Sequence, residues 1–301
     1  MSEPTLNYLP CADSGVGHRM AYWQWGDAQA DHTVVCVHGL SRQGRDFDVF
    51  AQALIARAPG PLRVVCPDVV GRGQSDWLAD PQAYQIPTYA ADMLALLAHL
   101  KPKVLDWVGT SMGGLIGLAV CANAAAVGVQ VRRLVLNDVG PVLQWEALSR
   151  IGAYLGRVVQ FDSLQQAADA MWAISSSFGP HTPAQWLELS RHMVKPVAGG
   201  QVEQDPVTLH YDPAIAVPFA SATQESVLQG EAALWQLYDS ITAQTLLLRG
   251  AQSDLLSPST ALQMTQRGPK ARLVEFAGVG HAPTLIAPDQ VDVVASFLLA
   301  E

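Results

Sequence analysis

Residues 104–123 read VLDWVGTSMGGLIGLAVCAN. The first part is a β-branched, apolar run of strand character, and the last part has the length and composition of a buried helix. Between them, Gly109-Thr110-Ser111-Met112-Gly113 has the spacing G-x-S-x-G. That spacing suits a sharp strand-to-helix turn, because the residues two before and two after the serine must be small. Such a turn lifts the serine hydroxyl above the sheet. It also sets it at a helix N-terminus, where free N–H groups and the helix dipole favour developing negative charge. Ser111 is therefore the candidate nucleophile. No residue from 107 to 131 carries a charge, and the stretch is long enough to span a bilayer. A membrane helix is not the better reading. The segment WVGTSMGGLIG holds four glycines, each costing a helix interior about 1 kcal/mol. Strand, turn and buried helix fit instead.

The same alternation extends outward on both sides. Strand-like runs are expected at 20–25, 33–37, 62–66, 104–108, 131–136, 245–249 and 272–276. Helical spacing is expected at 47–58, 88–100, 112–123, 259–266 and 288–299. This predicts an α/β fold with a mostly parallel sheet covered by helices on both faces. From 140 to 230 the alternation stops. No clear strand is visible there, only helical pieces at 145–159, 163–175 and 182–193. The expected organisation is one core domain, 1–139 and 231–301, split by a helical cap at 140–230.

A chain of 301 residues buries enough surface to fold without disulfides or metal. Half its residues are apolar and 15% are charged, which excludes a disordered or coiled-coil protein. The net charge of −9 argues against nucleic acid or an anionic membrane as partner. The first residues, MSEPTLNYLP, have neither a basic nor an apolar signal region, so the cytoplasm is the expected location. Cys11, Cys36, Cys66 and Cys121 form no CxxC pair and are read as reduced, mostly buried thiols.

A serine hydroxyl needs a base. Of the eight histidines, His281 stands out, in Gly278-Val279-Gly280-His281-Ala282-Pro283 just after the last strand. That loop ends at the sheet edge where Ser111 sits, the edge at which parallel α/β sheets build their sites. The base in turn needs an acid to hold its tautomer. Asp254, in RGAQSDLLSP, and Asp138, in LNDVGP, both follow strands at that edge. Chain order allows either. Asp254 is the expected acid, because the next strand's loop carries His281, and Asp138 is then read as structural. Two backbone donors should face the developing oxyanion. They are expected to be the amides of Met112, directly after the nucleophile, and Leu40, in His38-Gly39-Leu40-Ser41.

The segments VVCVHGLS, VVCPDVVGRGQSD, DWVGTSMGG, TLLLRGAQSDLLS and EFAGVGHAP, in this order, resemble the α/β-hydrolase superfamily and frame nearly the whole core. The resemblance implies a mostly parallel eight-stranded sheet and a Ser-His-Asp triad, which falls on Ser111, His281 and Asp254. Haloalkane dehalogenases and epoxide hydrolases carry an aspartate where this chain has Ser111, so those activities are not expected.

The expected reaction is hydrolysis of a carboxylic ester through an acyl-enzyme on Ser111. No metal site or cofactor is expected, since HExxH, phosphate-loop and dinucleotide patterns are absent. Between residues 141 and 240 stand ten acidic and four basic residues, together with Trp145, Trp172, Trp186 and Trp235. An acidic, aromatic cap suits a small or medium, mainly neutral substrate; the other reading of each tryptophan is that it packs the cap's own small core. Two alternatives stand beside this. One is hydrolysis of a carbon–carbon bond in a ring-cleavage dienoate, or of an enol-lactone, with Arg150 or Arg191 as cationic anchor. The other is a hydrolase-like ligand receptor. The partner is a small molecule, and a homo-oligomer is left open.

Overall fold

The structure is a computed structural model that describes residues 3–12 and 15–300. Its first half lays down β1 (Thr5–Cys11), β2 (His18–Gly26), β3 (His32–Val37), α1 (Asp48–Arg57), β4 (Arg63–Pro67), α2 (Ile86–Leu100), β5 (Val104–Thr110), α3 (Met112–Asn123) and β6 (Val131–Asn137). An inserted segment follows, with α4 (Trp145–Gly152), β7 (Gln160–Phe161), α5 (Leu164–Ser175), α6 (Pro183–Arg191), β8 (Val194–Pro196), β9 (Val207–Leu209) and α7 (Ala216–Ala220). The chain then returns through α8 (Gln224–Asp239), β10 (Gln244–Gly250), α9 (Pro258–Met264), β11 (Arg272–Phe276) and α10 (Pro288–Leu299).

Eight strands form one sheet in the order β1-β2-β4-β3-β5-β6-β10-β11. The pairs β1–β2 and β2–β4 are antiparallel, and every later pair is parallel. The central strands are mostly apolar, as suits burial on both faces, and the charges of β5 and β6, Asp106, Arg132 and Arg133, lie near the strand starts. On one face Met93 and Leu97 of α2, Ile116 and Leu118 of α3 and Tyr238 of α8 share a core. On the other, Phe50 and Leu54 of α1 meet Val294 and Leu298 of α10. The uncharged stretch thus lies in the middle of the sheet and its covering helix. Trp107 is fully buried, and its indole lies where a Cβ on Gly117 would approach to 2.5 Å. Among the described residues no helix is long and apolar enough to cross a membrane.

Three features differ from the sequence reading. The strand β1 was not expected. It is an edge strand, half exposed and interrupted by Pro10, so it lacks the apolar run that marks the others. The inserted segment is not purely helical, because β7, β9 and β8 form a small antiparallel sheet. With two or three residues each, these strands are too short to leave a period. Finally, α8 runs straight through the boundary expected at 230/231. Its Trp235 and Tyr238 belong to the main core, so the helix covers the sheet rather than the insertion.

Candidate active site

The turn after β5 has the geometry its glycines imply. Ser111 adopts φ 51° and ψ −117°, a conformation costing roughly 1–3 kcal/mol. A Cβ on Gly113 would run into the Val37 carbonyl, and one on Gly109 into the Gly113 backbone. The strained serine is pinned by its own amide, which donates to Asn137 O (3.0 Å) at the end of the neighbouring β6.

His281 comes from the loop after β11. Its Nε2 lies 2.9 Å from Ser111 Oγ, and its Nδ1 lies 2.7 Å from Asp138 Oδ2. A carboxylate only accepts, so Nδ1–H donates to Asp138. The neutral ring then offers Nε2 to the serine hydroxyl. Asp138 is fully buried and directly follows β6 with φ 58°. It accepts from the Gly250 amide (2.8 Å) and the Ser253 hydroxyl (2.6 Å) as well as from His281. Ser111, His281 and Asp138 therefore form one hydrogen-bonded chain.

The expected acid, Asp254, is not in it. Asp254 is about half exposed and binds the Arg150 guanidinium, 2.8 Å from Nε and 2.7 Å from Nη2. The reason is the path of the His281 loop. It crosses the end of β10, where a Cβ on Gly250 would collide with the backbone of Val279 and Gly280. Gln252 N donates to Val279 O (2.9 Å), so the two loops are zipped together and Asp254 is turned outward. The bare Gly250 lets His281 pass over β10 to the carboxylate on β6. The available signal was position: like Ser111, Asp138 stands immediately after its strand, whereas Asp254 lies further along its loop.

Met112 directly follows Ser111, and Leu40 lines the same cavity as Ser111. Among the described residues neither backbone amide has a partner within the chain, so both donors are free to bind. Two side chains missed in the sequence hold this loop. The buried Arg72 donates from Nε to Leu40 O (2.8 Å) and reaches Met112 Sδ with Nη2 (3.6 Å). His38 lies 2.7 Å from Gly39 O through Nδ1 and accepts from Val69 N (2.9 Å) at Nε2.

Both bonds of His38 are those of a neutral ring, and burial pushes its pKa down to about 3. His192 and His210 are likewise pushed down to about 4 by burial, with nearby cations adding to it. A histidine depressed in the fold binds its proton more readily unfolded, so its contribution to stability falls as pH drops below about 6.5. Each contributes a slope of up to about 1.4 kcal/mol per pH unit in that window. Asp68, pushed up to about 6 by burial, opposes them with its main effect below pH 6. Thermal unfolding should therefore occur about 1–2 °C lower at pH 6 than at pH 7. An unchanged or higher midpoint at pH 6 would contradict neutral burial of these rings.

Ser111 and His281 open onto a cavity of about 300 Å³. Its walls are mainly apolar, with Phe178, Met171 and Met193 from the insertion facing Leu40 and Phe47 of the core. None of Trp145, Trp172, Trp186 or Trp235 lines it. Trp186 instead donates to Ala168 O (2.7 Å) inside the insertion's own core, and Trp235 packs in the main core. The insertion is tied to the base loop, because Gly280 N donates to Ser177 O (2.5 Å) and His181 Nε2 lies 2.9 Å from Thr284 Oγ1.

Among the described residues one group could hold a metal ion: Cys11, His18 and Asp92, whose ligand atoms lie within 4.8 Å of one another. All three are buried, and none lines the cavity. Burial and the adjacent Asp92 push the Cys11 thiol up to about 12. His18 is paired with Asp92 at 2.9 Å.

The model of the Alpha/beta hydrolase family matches residues 34–296. The chain belongs to the alpha/beta hydrolase family. It is 47% identical over 296 residues to a 3-hydroxybutyrate-oligomer hydrolase of Cupriavidus necator, covering 98% of each chain. A crystal structure of an alpha/beta hydrolase from Novosphingobium aromaticivorans superposes with a TM-score of 0.82, at 34% identity and 99% coverage of both chains. Family and relative together support hydrolase activity.

Proposed function

We propose that this hydrolase cleaves the ester bonds of short linear hydroxyalkanoate oligomers, with Ser111 as nucleophile, His281 as base and Asp138 as the acid that orients it. The observation that carries the reading is the continuous chain from Asp138 through His281 to Ser111 at the wall of an apolar cavity. The segment between β6 and α8 acts as its lid, and the core, α8 included, is the remainder.

In this mechanism Ser111 Oγ bonds to the ester carbonyl carbon while its proton passes to His281 Nε2. The carbonyl oxygen takes the negative charge, facing the amides of Leu40 and Met112. The tetrahedral centre collapses, the carbon–oxygen bond to the alcohol breaks, and His281 returns the proton to the departing oxygen. Water, deprotonated by His281, then releases the acyl group from Ser111 by the same route. The imidazolium formed at each stage is held by buried Asp138, and Gly250 N and Ser253 Oγ keep that carboxylate fixed.

The substrate class rests on the relative that hydrolyses 3-hydroxybutyrate oligomers, whose likeness spans the insertion as well as the core. It also fits the cavity, which has apolar room for a methyl-branched chain. The two anchors expected for the carbon–carbon alternative are already paired. Arg191 is paired with Glu188 and Glu203, and Arg150 with Asp254. The test is a panel of 3-hydroxybutyrate dimer and trimer, p-nitrophenyl butyrate, an enol-lactone and a ring-cleavage dienoate. Turnover of the first three and not of the dienoate is expected. Dienoate turnover exceeding that of the esters would overturn the reading.

A further inference from the structure

Three arginines line the cavity: Arg42, Arg150 and Arg157. Two are already neutralised. Arg42 holds Asp46 through Nε (2.6 Å) and Nη2 (2.8 Å), and Arg150 holds Asp254 through Nε and Nη2. Arg157, which follows α4 at the wall of the same cavity, has no carboxylate partner among the described residues. Arg157 is exposed, so its guanidinium is open to a ligand although residues 141–240 hold ten acidic groups against four basic ones. A guanidinium left without a partner beside an apolar chamber matches a ligand that brings its own carboxylate, because the fork of N–H donors binds one bidentately.

We propose that Arg157 takes the free carboxylate of the substrate, so that the enzyme prefers hydroxyacid esters ending in a free acid over neutral esters of the same length. The proposal rests on the hydroxyalkanoate reading of the site. Every linear oligomer of a hydroxy acid has one carboxylate end, and the apolar walls hold the chain between that end and the ester at Ser111. The structure thus favours an anionic substrate, against the neutral one read from the acidic composition of the insertion. That acidity is turned elsewhere: among the described residues no carboxylate of 141–240 lines the cavity, and Asp46 of the core, which does, is held by Arg42.

The experiment compares kcat/KM for the 3-hydroxybutyrate dimer as free acid and as methyl ester, in wild type, Arg157→Gln and Arg157→Lys. The readout is the acid-to-ester ratio within each enzyme, so a general loss of activity cancels. Wild type should favour the acid about tenfold, mainly through KM. Arg157→Gln should bring the ratio near one, and Arg157→Lys should keep part of the preference while added salt weakens it. A wild-type ratio near one, or a ratio unchanged in Arg157→Gln, overturns the anchor and leaves the ester-hydrolase reading standing. If wild type cleaves p-nitrophenyl butyrate but neither form of the dimer, the substrate class fails and the anchor with it.

Discussion

Alanine at position 111 should lower kcat on p-nitrophenyl butyrate by about 10⁵- to 10⁶-fold, the scale on which loss of a serine nucleophile acts elsewhere. What remains would be attack by water assisted by the free amides of Leu40 and Met112, which alone can sustain roughly 10³–10⁴ over the uncatalysed rate. The fold should survive. The Ser111 hydroxyl makes one hydrogen bond within the protein, to His281, and the turn is held by backbone contacts such as Ser111 N to Asn137 O. Circular dichroism should therefore match wild type while a phosphonate ester, which labels wild type at Ser111, leaves the variant unmodified. Activity within about tenfold of wild type would remove Ser111 from the mechanism, since a substitution worth less than about 1.4 kcal/mol cannot be the loss of a covalent nucleophile.

The second large effect separates two aspartates that share a sheet edge. Asp138→Asn should reduce kcat by about 10⁴-fold, because an amide facing Nδ1 can favour the wrong tautomer and cannot balance the imidazolium. Ser253 and Gly250 would lose their charged acceptor in the same step. Asp254→Asn should cost less than about tenfold. It breaks an ion pair with Arg150 whose partners are both about two-fifths or more exposed, and exposed pairs contribute about 0–1 kcal/mol. Its effect on catalysis passes only through the position of Arg150 in the cavity wall. Steady-state kinetics on the two variants, with a melting curve for each, decides the matter. The reverse order of damage would return the acid's role to Asp254 and require the His281 loop to move off Asp138 in solution.

These two results bear on different kinds of legibility. Ser111 and His281 could be read because their chemistry is tied to local sequence. The glycines at 109 and 113 are demanded by a turn that tolerates no Cβ, and a short glycine-bearing loop after the last strand carries the histidine. The strands of the sheet interior were legible for the same reason, since central strands buried on two faces leave apolar runs. The edge strand β1 and the two- or three-residue strands of the insertion leave no such run, and they were missed. The tryptophans of the insertion could be read either as substrate-facing or as packing, because bulk and composition do not say which way a ring points. Trp172 and Trp186 pack against each other, with centroids 5.0 Å apart, and smaller rings such as Phe178 face the cavity.

By itself the sequence determined that this protein is an α/β protein with a serine poised on a strand-to-helix turn and a histidine at the same sheet edge. Those features depend on residues near one another in the chain: their periods, their glycines and their order. The tertiary structure alone decided which carboxylate hydrogen-bonds that histidine and which arginine of the cavity wall has no carboxylate partner among the described residues. Both answers depend on long-range crossings. His281 reaches Asp138 by passing over β10 at Gly250, which turns Asp254 outward to neutralise Arg150. A charge is free or spent according to what lies across space from it, and no spacing along the chain encodes that.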